Sequence, residues 1–248
     1  YKDLKLTKSA DKKHHRLEQE VLKRADVTLT VGATLGKELA ELGARKVEII
    51  TNGFDRDDSS ENVILDTEIS LAHIGSMTST RNPEVLWKAL SELLKENVDL
   101  QNKMEIKLVG KVDVSVMESL EKYKLLPYLR KIDYLPHDKV IEEQQKSHLL
   151  LLLINDTPNS KGIVTGKFFE YMATGRPILA IGPTDGDVAK ILEETQAGEI
   201  VGYYELEKLK KCILAFIESE VLKVDTDAIN KYSREELTKK LVKILNHF

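Results

Sequence analysis

Cysteine is nearly missing from these 248 residues: Cys212 stands alone, so no disulfide closes within the chain and no cysteine-based zinc site forms. Its place in the series Leu209, Cys212, Ile213, Phe216 puts it on the apolar side of a helix. Extended apolar stretches are missing too. The longest, Leu149–Ile154, has six residues, against the ~20 that a spanning helix needs, and the first residues hold no apolar segment of the signal-peptide type. The expectation is a soluble, cytoplasmic chain. There is no excess of positive charge, since 37 Lys plus Arg face 41 Asp plus Glu for a net charge of −4; bulk charge argues against a nucleic-acid partner. Three sequence signatures are absent as well: a G-x-G-x-x-G dinucleotide fingerprint, a G-x-x-x-x-G-K-[ST] phosphate loop and a Gly-x-Ser-x-Gly elbow.

What is present is an ordinary globular composition, 42% hydrophobic and 31% charged, in a length suited to one large or two modest domains. Short β-rich runs alternate with helical periods. The patterns predict strands over 27–31, 47–50, 70–74, 103–109, 131–135, 148–154, 176–181 and 199–201. Helices are predicted over 10–24, 34–42, 83–96, 114–124, 138–146, 165–174, 185–195, 205–218 and 233–246. This alternation specifies an α/β protein with a doubly wound, Rossmann-like parallel sheet. The turn Asn52-Gly53 and the polar run Asp55–Ser60 set a domain boundary near 54–62.

In such sheets ligands bind beyond the carboxyl ends of the strands, here loops 75–82, 110–113, 135–138, 155–166 and 182–185. The loop 155–166 enters a helix whose free N–H groups and positive dipole end favour an anion such as phosphate. Within that helix Phe168, Phe169 and Met172 are spaced for the core, whereas Glu170 shares a face with Gly166 and Thr174. A carboxylate there suits the paired hydroxyls of a ribose; a surface pair with Lys167, three residues back, is the alternative. Gly162 and Gly166 give backbone room for a ligand or simply make the turn.

Other candidates read as structural. The Asp-x-Asp tripeptides at 55, 185 and 225 suit a linker, a helix cap and a turn better than a metal. His14 and His15 point about 100° apart on a helix and cannot share an ion. His73, at a strand end beside Gly75, is either a hydrogen-bonded structural residue or a ligand contact. The first 24 residues carry eight basic and four acidic side chains, a solvated helix by default, with an anionic membrane surface or acidic acceptor as the alternative.

Three segments together resemble family-4 glycosyltransferases of the GT-B fold: Val47–Asp55 with its Asn-Gly-Phe-Asp, Gly75 in a strand-end loop, and Gly166-Lys167-Phe168-Phe169-Glu170-Tyr171-Met172-Ala173-Thr174-Gly175-Arg176-Pro177-Ile178. The resemblance implies residues 1–54 as a remnant of an N-terminal acceptor domain, and the opening at Tyr1 is read as that of a fragment. It further implies 55–230 as the nucleotide-sugar donor domain, and 231–248 as a helix packing back on the N-terminal half.

The donor site it implies comprises Gly75, Ser76, Gly110, Lys111, Tyr134, Leu135, Gly162, Ile163, Val164, Thr165, Gly166 and Glu170. The base lies near Gly110-Lys111 and Tyr134-Leu135, the ribose on Glu170 and the phosphates at the helix start. The family carries a second Glu eight residues before Glu170, where this chain has Gly162. Its basic pair in the first loop falls here on Ser76 and near Asn82, so Arg81 and Lys167, with Lys161 as an alternative, are the cations expected to steady the leaving diphosphate. The reaction implied is metal-independent, retaining transfer of a hexose from a nucleoside-diphosphate sugar to a glycan or lipid-linked acceptor bound through the N-terminal domain. No cofactor, metal or nucleophilic residue is implied, and the isolated chain is expected to turn over poorly. The full-length protein is expected at a cytoplasmic membrane face, with peripheral contact. The rival readings are a GT-B nucleotide-sugar epimerase and a noncatalytic nucleotide-sugar-binding module.

Overall fold

A computed structural model of the chain describes residues 6–55, 63–218 and 224–247. It opens with α1 (Lys8–Arg24), then β1 (Thr28–Thr30), α2 (Ala33–Glu41) and β2 (Val47–Ile49), the two strands pairing in parallel. The larger unit follows as β3 (Ile69–Ile74), α3 (Glu84–Glu96), α4 (Val98–Gln101), β4 (Met104–Val109), α5 (Val114–Lys122), β5 (Leu129–Ile132), α6 (His137–Lys146), β6 (Leu149–Leu153) and α7 (Gly166–Ala173). It ends with β7 (Ile178–Ile181), α8 (Asp187–Thr195), β8 (Gly198–Val201), α9 (Leu206–Glu218), α10 (Thr226–Asn230) and α11 (Arg234–Leu245).

The six strands β3 to β8 lie in the order β5-β4-β3-β6-β7-β8, every pair parallel. The order reverses between β3 and β6, the topological switch point of a doubly wound sheet, where ligands of such folds sit. The all-leucine strand β6 is central and buried on both faces. Alternate residues feed two cores. Leu71, Leu149, Leu151 and Leu153 pack with α3, α5 and α9, while Ala72, Ile74, Leu150 and Leu152 pack with α7 and α8.

The fifth strand ends earlier than the pattern predicts, at Ile132 and not at 135. Among the described residues its only partner is β4, which stops at Val109 opposite Ile132, so Asp133, Tyr134 and Leu135 have no ladder to join and form the loop that leads to Pro136 at the start of α6. Two short helices escape the apolar pattern because a side-chain cap makes them: Asn97 accepts from Leu100 N–H at 3.1 Å and Asp225 from Ala228 N–H at 2.9 Å. Most of the boundary expected near 54–62 lies outside the described residues, since 56–62 are not among them.

The two sheets meet at defined contacts. Asp187, buried at the start of α8, caps α2 by accepting from Thr34 N–H at 2.9 Å and Thr34 Oγ1 at 2.8 Å. Residue α11 Lys240 donates to the Ile49 carbonyl at 2.8 Å, and Arg234 N–H to the Phe54 carbonyl at 2.9 Å, so α11 lies along β2 and the segment after it. No helix among the described residues is long and apolar enough to cross a membrane.

Candidate functional site

The switch point is a fork. Strands β3 and β6 pair only at Leu71–Leu149 and Ala72–Leu150, then part. The backbone groups facing the fork are met by side chains: the Leu151 carbonyl lies 3.1 Å from His73 Nδ1, and the Ile74 N–H donates to the Tyr171 hydroxyl at 3.0 Å. A carbonyl partner fixes the proton of His73 on Nδ1, leaving Nε2 as a buried acceptor with no hydrogen bond, close to the Ser76 backbone. Burial, aided by the nearby Lys167, pushes His73 down to about 3, so the ring is neutral. His73 is thus a structural element of the fork.

Tyr171 pins α7 to the end of β3, and Lys167 lies one turn earlier on the same face. Its ammonium therefore reaches the open side of Gly75, in the space a side chain at 75 would fill. Gly75 also has φ +121°, so glycine is required there twice over. Arg81 arrives from the other side of the fork, in the 3₁₀ turn 79–81, and its Nε donates to Asn155 Oδ1 at 2.6 Å, just past β6. Neither cation has a carboxylate within ion-pair distance among the described residues. Burial and then the proximity of Arg81 lower Lys167 to about 8. Two cations held together, with no carboxylate in ion-pair contact and Glu170 acting on Lys167 only from a distance, make a receptor for an anion.

The loop after β6 brings the rest. Residues 160–162 form a 3₁₀ turn, Ile163 to Thr165 lead into α7, and no side chain caps the helix start. Gly166 has open space where a side chain would stand. One turn in, half-buried Glu170 faces α6, its Oε2 3.5 Å from Gln144 Nε2. The alternative pairing with Lys167 is not formed within ion-pair distance. Gly162 lies against Thr34 of α2, 3.4 Å from the position a Cβ would take, so a longer side chain there meets the start of α2.

The remaining expected residues line the adjoining strand ends. The segment after β3 continues alongside that after β4, Met77 N–H donating to the Lys111 carbonyl at 2.9 Å. Exposed Ser76 and Lys111 and the glycines 75 and 110 therefore share one rim. Gly110, with φ +107°, has the Gly75 backbone 3.2 Å from its Cβ position. Tyr134 projects into solvent beyond β5, 90% exposed, next to half-buried Leu135. Two residues near the basic-pair positions do other work: Asn82 bridges the Ser115 carbonyl, Ser119 Oγ and Trp87 Nε1, and Lys161 pairs with Asp185. Asn155, Tyr171 and His73, which shape the fork, carry no signal in the spacing of the sequence except the position of His73 beside Gly75.

No family model and no curated protein matches the sequence. Solved structures do. HepE from Anabaena, in complex with UDP, superposes with a TM-score of 0.74 at 14% identity, covering 95% of this chain and 68% of HepE. The sucrose-phosphate synthase of Thermosynechococcus elongatus gives 0.70 at 14%, covering 97% and 63%. A glycosyltransferase from Rickettsia africae gives 0.68 at 16%, covering 97% and 67%. The chain thus spans about two thirds of each of these proteins. The likeness at this identity is one of fold, and the doubly wound, Rossmann-like parallel sheet expected from the sequence as half of a GT-B fold is the fold this chain has.

Proposed function

We propose that this chain holds the donor side of a glycosyltransferase that moves a hexose from a nucleoside-diphosphate sugar to a glycan or lipid-linked acceptor. The observation that carries this reading is the convergence of Arg81 and Lys167 on the fork between β3 and β6, beside the uncapped start of α7. The fold supports it, and HepE has been solved with UDP-glucose as well as UDP. In this reading 55–230 is the donor unit, and 1–54 with 231–248 belong to the acceptor side.

The diphosphate lies across Gly75, Ser76 and the loop Gly162–Gly166. Its charge grows as the sugar leaves, and Arg81, Lys167 and the free N–H groups of α7 neutralise it. These cations supply the stabilisation that a metal gives elsewhere, and transfer proceeds without one, with retention. Glu170 accepts the ribose hydroxyls, and the base lies over Gly110, Lys111, Tyr134 and Leu135. Holding donor and acceptor in register supplies much of the remaining rate.

The test is calorimetric titration with UDP, GDP and ADP in the presence of EDTA. One nucleoside diphosphate binds, and Glu170→Ala weakens it by about tenfold or more, as expected for a lost pair of hydrogen bonds to a carboxylate. Absence of binding by all three, or binding that ignores Glu170→Ala, overturns the assignment.

A further inference from the structure

The last turn of α6 is tied down on three sides. Glu143 pairs at 3.0 Å with Lys107 of β4, a fully buried ammonium that also pairs with Asp66 ahead of β3. The Gln145 carbonyl accepts from Arg176 Nε at 2.8 Å, ahead of β7, and the Lys146 carbonyl accepts from the Asp66 N–H at 3.0 Å. Between these anchors stands Gln144, 1% exposed, with its amide turned toward α7: Nε2 lies 3.5 Å from Glu170 Oε2. Residues 143, 145 and 146 hold the turn to the sheet, and residue 144 faces the site.

Burying an amide costs free energy unless its hydrogen bonds are made, and an apolar side chain of the same length fills the space without that cost. Facing a carboxylate, the amide presents its NH2 group and not its oxygen. This donor is neutral, so it orders Glu170 without cancelling its charge. A carboxylate has about four lone-pair positions, enough for Gln144 and for two ribose hydroxyls besides. The backbone of Glu170 is set by its neighbour Tyr171, bonded to the end of β3, but the backbone leaves the side chain free to rotate. A carboxylate ordered before its ligand arrives loses less freedom on binding. We propose that Gln144 is a positioning residue for the donor, holding Glu170 in the rotamer that meets the ribose hydroxyls, with the anchored turn of α6 as its support. The proposal rests on the transferase reading, which places a ribose at Glu170.

The test compares UDP, 2′-deoxy-UDP and pyrophosphate by calorimetry on the whole chain. Gln144→Met keeps the length of the side chain and drops the donor. Its UDP affinity falls by about threefold to tenfold, and its preference for UDP over 2′-deoxy-UDP shrinks toward that of Glu170→Ala. Pyrophosphate, which has no ribose, binds as it does to the parent. In the Glu170→Ala background Gln144→Met changes nothing further, whereas a loss of packing alone adds to Glu170→Ala and moves pyrophosphate too. Gln144→Glu, of the same shape, is the second variant: two facing carboxylates share a proton, so its UDP affinity relative to the parent's falls as pH rises from about 5 to 7. UDP binding that Glu170→Ala weakens but both Gln144 variants leave unchanged, or effects of Gln144→Met and Glu170→Ala that add, overturn the proposal and leave the transferase reading standing. UDP binding indifferent to Glu170→Ala removes that reading, and with it the ribose that Gln144 serves.

Discussion

Lys167 is an ammonium held in a partly desolvated place with Arg81 as its neighbour, and this sets a measurable pH dependence. Below its pKa of about 8 the group is charged, and nucleotide affinity is flat with pH down to about 7, below which the terminal phosphate of UDP begins to take up its own proton. Above that pKa the free protein must take up a proton to bind, so affinity falls by up to about tenfold per unit. Lys167→Met removes the break near pH 8 and costs about tenfold or more in affinity at pH 7; UDP titrations from pH 6 to 9.5 measure both. His73 gives a stability effect of the opposite kind. Its folded pKa of about 3 lies below the ordinary 6.5, so between those values the unfolded chain binds the extra proton. Stability is therefore lost as pH falls from 6.5 toward 3, by up to ~1.4 kcal/mol per unit, and urea midpoints for the parent and His73→Gln across that range report it. The helix face of Glu170, shared with Gly166 and Thr174, was legible from helical spacing, which left a ribose contact and a surface pair with Lys167 both open. Arg81 was legible only by resemblance, because its role depends on Asn155, which lies 74 residues away in sequence.

Among the elements, α7 does most to position the site; Phe168, Phe169 and Met172 pack it into the core, and the Tyr171 hydroxyl ties it to the end of β3. Tyr171→Phe strips the Ile74 N–H of its acceptor in a fully buried setting, which costs about 1–3 kcal/mol. It also frees the helix that carries Lys167, so nucleotide affinity falls together with stability; thermal melts and UDP titration of the variant check the two. The strands and helices themselves were readable because apolar periods of two and 3.6 are imposed by the two cores. The fork was not readable, since strand order is a property of pairing across the sheet and local pattern says nothing about which strands separate. The misplaced end of β5 has a cause across the sheet: its partner β4 stops at Val109, opposite Ile132, which the local pattern of residues 131–135 does not reveal.

At the scale of the whole molecule, the contact between Asp187 and the start of α2 joins the two sheets. Asp187→Ala leaves the Thr34 N–H without its cap and costs about 1–2 kcal/mol, while Asp187→Asn keeps one acceptor and most of the stability; chemical denaturation ranks the three proteins. UDP titration shows a smaller loss of affinity in Asp187→Asn than in Asp187→Ala, because Thr34, which Asp187 holds, packs on Gly162 of the diphosphate loop. No local pattern hints at this contact, whose partners are 153 residues apart. That separation has a consequence for how the chain is made. A polypeptide leaving the ribosome releases β1, α2 and β2 before the six-stranded sheet, yet the cap of α2 follows only with residue 187 and the cover of β2 only with α11. The pair β1–β2 is thus secured only after the later, larger sheet has been made, and that sheet is the template on which it closes.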